Sequence, residues 1–192
     1  FEINSLGEQF NQTLDELLKR TEEVEKEKIH RERLAQQFKI GHEIQRSMLP
    51  ASLPAFSGLE LAPGYAAAQE VSGDLYDFFE AESGGVGFLL GDVCGKGLGA
   101  ALLVANLQAT IRSQRELAGQ PARLLERINR LFFHSTRPEH FATLFFGFYE
   151  PATQMLCYVN CGHPPPVLLH ANDAPELLAP TATVLGAFEH TV

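Results

Sequence analysis

Val71-Ser72-Gly73-Asp74-Leu75-Tyr76-Asp77 is followed, about eighteen residues on, by Gly91-Asp92-Val93-Cys94-Gly95-Lys96-Gly97. Each stretch sets an aspartate beside glycine at the edge of an apolar run that reads as a strand. Glycine has no side chain to keep the backbone from an ion, so a carboxylate there projects into a loop that can close on a ligand. Two such carboxylates on neighbouring strands repel each other unless a cation lies between them. Hard oxygen donors favour Mg²⁺ or Mn²⁺, and no His/Cys grouping offers a zinc cage. Gly-Asp pairs are also ordinary turn residues. Spacing alone leaves both readings open.

Outward from these stretches, apolar and aromatic runs predict strands at 59–67, 75–80, 86–92, 141–149, 155–160 and 167–170. Helical spacing covers 98–117 and 122–135, the second opened by Pro121 in its favoured first-turn place. Strands, then paired helices, then strands predict mixed α+β layers rather than a repeating parallel unit. Residues 1–48 lack proline and are rich in Glu, Lys, Gln and Leu, which predicts a long helix. Ile3, Leu6, Phe10, Leu17, Val24, Leu34, Phe38 and Met48 recur as a coiled-coil seam, broken by Thr13, Arg20, Glu27, Arg31, Gly41 and Gln45. A weakened seam of this length predicts a homodimerising rod; a helix folded back on its own domain is the alternative. Pro50 and Pro54 end it, giving a linker over 1–48 and a globular domain over 49–192.

With 192 residues and 45% hydrophobic composition, the chain can bury one full core. Its net charge of -9 opposes a nonspecific grip on nucleic acid, so no nucleic-acid partner is expected and phosphate recognition must rest on a local device. Three cysteines without a pairing framework suit a reducing compartment, and the cytoplasm is the default. No run is long and apolar enough to span a membrane, and Phe1 opens no signal peptide. Any membrane tie is expected through an upstream region.

Five blocks in order resemble a known family. They are Gly41-His42-Glu43-Ile44-Gln45-Arg46-Ser47-Met48-Leu49-Pro50, Ser72-Gly73-Asp74-Leu75-Tyr76-Asp77, Gly91-Asp92-Val93-Cys94-Gly95-Lys96-Gly97-Leu98-Gly99-Ala100-Ala101-Leu102, Phe141-Ala142-Thr143-Leu144 and Tyr158-Val159-Asn160-Cys161-Gly162-His163-Pro164-Pro165-Pro166. Together they are similar to the metal-dependent (PPM, type 2C) serine/threonine protein phosphatases, in the bacterial SpoIIE/RsbU-like branch. The resemblance implies a four-layer α-β-β-α sandwich with two Mn²⁺ or Mg²⁺ ions at one end of the sheets. Carried over by position, Asp74 and Asp92 are the metal-holding, catalytic carboxylates, the backbone carbonyl of Val93 is a further ligand, and Asp77 is a less secure one. Ser72, Cys94 and Lys96 depart from the usual glycine, serine and histidine. Lys96 places a cation where it can meet the substrate phosphate or face solvent, and leaves the leaving-group acid unassigned. The family's last blocks, which supply another metal aspartate, do not occur before Val192, so this stretch by itself is expected to be C-terminally incomplete and weakly active or inactive.

Glu2-Ile3-Asn4-Ser5-Leu6-Gly7-Glu8-Gln9-Phe10-Asn11 resembles the end of a HAMP signalling linker, which implies an intact receptor in the inner membrane with this part in the cytoplasm. The resemblance implies hydrolysis of phosphoserine or phosphothreonine on a phosphorylated STAS-type anti-sigma-factor antagonist. The rival is a catalytically silent, partner-binding module. His163, in its Gly-His-Pro-Pro-Pro turn, reads as loop packing, and Cys157 and Cys161 as small buried hydrophobes.

Overall fold

The computed structural model describes residues 2–50, 56, 59–66, 71–81, 84–137, 139–171 and 174–190. Helix α1 runs without a break over Glu2–Met48. By compactness the chain divides into Phe1–Ile40 and Gly41–Val192, which groups the last turns of α1 with the second unit. In the first unit the helix carries Glu22–Lys26 and Glu27–Arg31 ion pairs at i,i+4 spacing. Its seam residues Leu17, Val24 and Leu34 are exposed to 56%, 66% and 40%. The seam side chains Ile3, Leu6 and Phe10, and Pro54, lie outside the described residues.

The second unit is an α+β fold built on an antiparallel sheet. Its strands are β1 (Asp74–Glu80), β2 (Val86–Val93), β3 (Ala142–Glu150) and β4 (Met155–Cys161), paired in the order β1-β2-β3-β4. Helices α2 (Gly97–Ser113) and α3 (Pro121–Ser135) lie between β2 and β3 in sequence, with a 3₁₀ turn at Arg115–Leu117 splitting the helical stretch expected at 98–117. Strand residues alternate between faces. Leu75, Leu89, Val93, Leu144, Phe146 and Cys161 therefore share one face, where they form a single core with Val104, Leu107 and Ile111 of α2 and Leu124, Leu125, Ile128 and Phe132 of α3. This burial makes α3 amphipathic, with arginines at 123, 127 and 130 on its exposed side.

The expected strand at 59–67 does not form over 60–66; its described pairing is a single bridge between Phe56 and Leu59. A β-rich run makes a strand only where a neighbour completes the ladder. The last expected strand is shorter than predicted: β5 (Val167–Leu168) pairs with β6 (Glu176–Leu177). Of the four layers expected, the described residues supply the helical layer and the four-stranded sheet, with the β5-β6 ribbon beside them.

Candidate active site

The face of the sheet opposite the helical core carries the candidate chemistry. Asp74 opens β1, Asp92 lies one residue from the end of β2, and the register sets them directly opposite each other, with Thr143 of β3 next in the row. Directly opposed residues on one face have Cβ atoms about 4.5–5.5 Å apart, so the two carboxylates are side by side. Burial and the charge of Asp74 both hold the Asp92 carboxyl above its ordinary pKa, and His163 partly offsets them. The Ser72 hydroxyl donates to Asp74 Oδ2 at 2.8 Å and accepts the Asp74 amide at 3.1 Å, fixing the carboxylate to its own turn.

Gly73 shows why the turn needs glycine. A Cβ there would stand 2.5 Å from the Val93 carbonyl oxygen and 2.8 Å from Asp92 Oδ1. Both oxygens therefore face the same small gap, and the Val93 amide donates back to Gly73 O at 2.9 Å. Gly95, with φ of 107°, turns the chain from β2 towards α2 in a conformation side chains rarely adopt. Lys96 then lines the same cavity, roughly 280 Å³, as Gly73, Asp74 and Asp92. The Asp92 carboxylate and the Val93 carbonyl at this gap, with the Asp74 carboxylate lining the adjoining cavity, are donors of the hard-oxygen type that suits Mg²⁺ or Mn²⁺. Among the described residues no three His, Cys, Asp or Glu side chains form a closed cage.

Asp77 is placed elsewhere. Three positions from Asp74 along one strand, it points to the opposite face, where its side chain is 1% exposed. Its carboxylate accepts from Arg112 Nε at 2.6 Å and Nη2 at 3.0 Å, from Gln108 Nε2 at 3.1 Å and from the Phe78 amide at 2.9 Å. Asp77 anchors a part-buried ion pair with α2 on the core face of β1, away from the row that holds Asp74 and Asp92. Gln108 Nε2 also donates to the Met48 carbonyl at 3.0 Å, tying the end of α1 to this network. Nearby, the Gln45 side chain, 5% exposed, donates to Ser72 O at 2.6 Å and accepts the Ser72 amide at 3.0 Å. The Gly41-to-Pro50 block is thus latched to the turn that carries Asp74.

Two residues that sequence reading did not assign to the site also reach it. His163 is held by a bond from its amide to Asn160 Oδ1 at 2.8 Å, and its Nδ1 lies 2.9 Å from Thr143 Oγ1. Burial pushes its imidazole below its usual pKa, against the opposing pull of Asp92 and Asp74. Tyr65 and His163 share a cavity of roughly 270 Å³ with Asp74. Cys161 is buried, its thiol pushed up to about 12, whereas Cys157 is exposed rather than buried as expected.

Residues 82–192, more than half of the chain, match the family of stage II sporulation protein E (SpoIIE). The chain belongs to the SpoIIE family. Relatives of this SpoIIE-family domain include Protein IcfG of Synechocystis, 29% identical over 76% of the chain and 27% of IcfG. The phosphoserine phosphatases RsbP and RsbU of Bacillus subtilis are each 26% identical, over 80% and 67% of the chain. The chain spans 39% of RsbP and 38% of RsbU. Among solved structures, the RsbU and RsbW domains of Rv1364c from Mycobacterium tuberculosis match at TM-score 0.56 and 25% identity, covering 66% of this chain and 36% of that one. The SiaA-PP2C domain of Pseudomonas aeruginosa matches at TM-score 0.64 and 16% identity, covering 84% and 66%. The SpoIIE-family unit therefore has the PP2C-like phosphatase fold, with a long helix at its amino end. Among the described residues no helix is long and apolar enough to cross a membrane.

Proposed function

We propose that this domain hydrolyses phosphoserine or phosphothreonine on a regulatory partner protein, with Mn²⁺ or Mg²⁺ held by Asp74, Asp92 and the Val93 carbonyl. The observation that carries the reading is the cross-strand pair Asp74 and Asp92 beside the gap at Gly73, bordered by the Val93 oxygen. Divalent ions bound there would supply a water acidic enough to attack near neutral pH and would offset the phosphoryl charge. The chain's own residues do the rest. Asp74 and Asp92 hold the charge that makes the site, and Ser72 keeps Asp74 in one orientation. Lys96, in the same cavity, attracts the phosphomonoester against the protein's net charge of -9. In the reaction, a water oxygen bonds to phosphorus, the bond from phosphorus to the serine or threonine oxygen breaks, and the alcohol and inorganic phosphate leave.

RsbP and RsbU are named as phosphoserine phosphatases, which supports this reaction class, and the solved relative that joins an RsbU to an RsbW domain supports an anti-sigma-factor antagonist as substrate. The intact protein is a homodimer through the exposed seam of α1 and the output of a receptor. The Gln45 and Met48 contacts give the helix end a mechanical hold on the Asp74 turn. A change of helix phase would thus bias the site between inactive and active forms. The test is phosphate release from p-nitrophenyl phosphate by the full-length protein. Turnover that requires Mn²⁺ or Mg²⁺ and is lost in Asp92→Asn supports the hydrolase; absence of turnover in the wild type with either ion would leave a silent docking module. Cross-linking along α1 should change the rate with helix phase.

A further inference from the structure

Helix α2 carries apolar residues on a side that its own core does not cover. No charged residue occurs from Gly97 to Ile111, whereas α3 sets arginines at 123, 127 and 130 on its outward side. Ala100, Val104, Leu107 and Ile111 account for one side of α2 by packing in the core. The other side is apolar too and lies open: Leu98 and Leu102, one turn apart, are exposed, Leu102 to 64%. A helix that is apolar all round belongs in a covered place. The open leucines therefore mark a surface on which another molecule seats.

That surface is already shaped. The first turns of α2 and the chain before β3 form a groove of roughly 650 Å³, whose walls include Lys96, Gly99, Leu102, Leu103 and Phe141. A Cβ placed at Gly99 would meet nothing within 4 Å, so the groove is open there. Its two walls are tied together: the Cys94 amide donates to the Phe141 carbonyl at 2.9 Å, and the Phe141 amide donates to Cys94 Sγ at 3.2 Å. Glu139, also on the wall, stands 3.9 Å from Arg137 Nη1, which offsets its charge. A groove formed in advance loses little ordering entropy when it is filled.

Its occupant is set by what lies beside it. Gly95 and Lys96 border both this groove and the cavity of Asp74 and Asp92. In a phosphoserine only Cβ and Oγ stand between Cα and phosphorus. A protein that delivers its phosphate to the Asp74 and Asp92 cavity therefore brings its main chain to the rim, where Lys96 and the groove lie along one way out. The walls select an apolar guest, because a polar side chain would give up water for Leu102, Leu103 and Phe141, which offer it no hydrogen bond. We propose that this groove is the specificity site of the phosphatase, seating an apolar side chain that neighbours the phosphorylated residue of the partner protein. The inference deepens the phosphatase reading and rests on it. Such contacts are the same before and during the reaction, so they lower KM and leave kcat alone.

The experiment uses the full-length protein in saturating Mn²⁺ with phosphoserine peptides that differ in a single residue. Leucine, alanine or aspartate is placed in turn at each position flanking the phosphoserine. At a position that reaches the groove, leucine should lower KM about tenfold relative to alanine, aspartate should not, and kcat should hold. Leu102→Glu puts a charge on the wall, and Gly99→Leu fills the open part of the groove with a residue that also favours the helix. Both should fold as the wild type does and abolish the leucine preference. Turnover of p-nitrophenyl phosphate, which has no flanking residues, should stay within about twofold. A wild type that treats all the peptides alike while hydrolysing p-nitrophenyl phosphate would overturn the proposal and leave the phosphatase reading intact. So would a leucine preference that both variants keep, which would place the specificity site elsewhere. Conversion of a dimeric wild type to a monomer by Leu102→Glu, read by sedimentation, would overturn it in favour of a second copy as occupant. Loss of p-nitrophenyl phosphate turnover in both variants would overturn it too, by making these residues supports of the catalytic site. A wild type that turns over no substrate overturns both readings.

Discussion

Removing the Arg112 guanidinium should damage stability more than removing the carboxylate it holds. In Arg112→Ala, Asp77, 1% exposed in the intact fold, keeps only Gln108 and the Phe78 amide as donors. Stranding a buried charge costs about 3–5 kcal/mol. The arginine side chain is 50% exposed, so solvent already screens part of the pair and the lower end applies, about 3 kcal/mol. For a unit of this size that lowers Tm by about 6–12 °C. Asp77→Ala leaves a guanidinium that can turn to water, and should cost about 1–2 kcal/mol. Replacing both, as Asp77→Leu with Arg112→Met, should cost less than Arg112→Ala alone, since no charge is then buried unpaired. Urea unfolding with Mn²⁺ calorimetry on each variant decides the point. A Mn²⁺ Kd for Asp77→Ala within about twofold of wild type is expected, because no metal-holding group is touched. Abolished Mn²⁺ binding in Asp77→Ala, with stability intact, would instead put Asp77 in the metal site.

Gly73→Ala drives a methyl against the Val93 carbonyl and Asp92 Oδ1 and should weaken Mn²⁺ binding at least about tenfold by calorimetry, with a smaller loss of stability. Asp92 has its pKa raised in the fold, chiefly by burial and then by Asp74. Its ionisation therefore opposes folding above that raised pKa, and the penalty fades as pH falls through it towards the ordinary aspartate range. Metal-free Asp92→Asn should accordingly melt above the wild type at pH 7 and lose that advantage near pH 4, as read by thermal scans. Wild-type Mn²⁺ affinity should begin to fall on acidification at a higher pH than an ordinary aspartate would set. Leu17→Glu with Val24→Glu places charges in the exposed seam of α1, and should shift the full-length protein from dimer to monomer in sedimentation at micromolar concentration.

Much of this was legible in the letters because period-2 and helical spacing report burial directly. β1 to β4 and α2 and α3 fall within a few residues of their expected places. The run at 59–67 misled because its apolar content is real, with Leu59, Leu61 and Tyr65 half-buried, while no strand pairs with it over 60–66. β5 and β6 are two residues each, too short for any periodicity to show. Asp77 could have been separated from Asp74 by parity alone, since an odd offset within a strand reverses the face. Its true partners, Gln108 and Arg112, come from a helix some thirty residues away and leave no local sign. Tyr65 was hidden for the same reason, and His163, visible in its Gly-His-Pro-Pro-Pro turn, reads there only as loop packing because Thr143 comes from another strand. Thr143 beside His163 comes from β3 and Ser72 beside Tyr65 from the turn before β1, and a motif in one segment cannot announce a neighbour in another.

Anomalous diffraction from crystals of the full-length protein grown with Mn²⁺ shows whether Asp74 and Asp92 share a divalent ion. The expected result is a manganese peak bordered by both carboxylates and the Val93 carbonyl oxygen, absent in Asp92→Asn crystals. Well-ordered wild-type crystals in saturating Mn²⁺ with no peak there, or with the two carboxylates turned away from a common point, would contradict it.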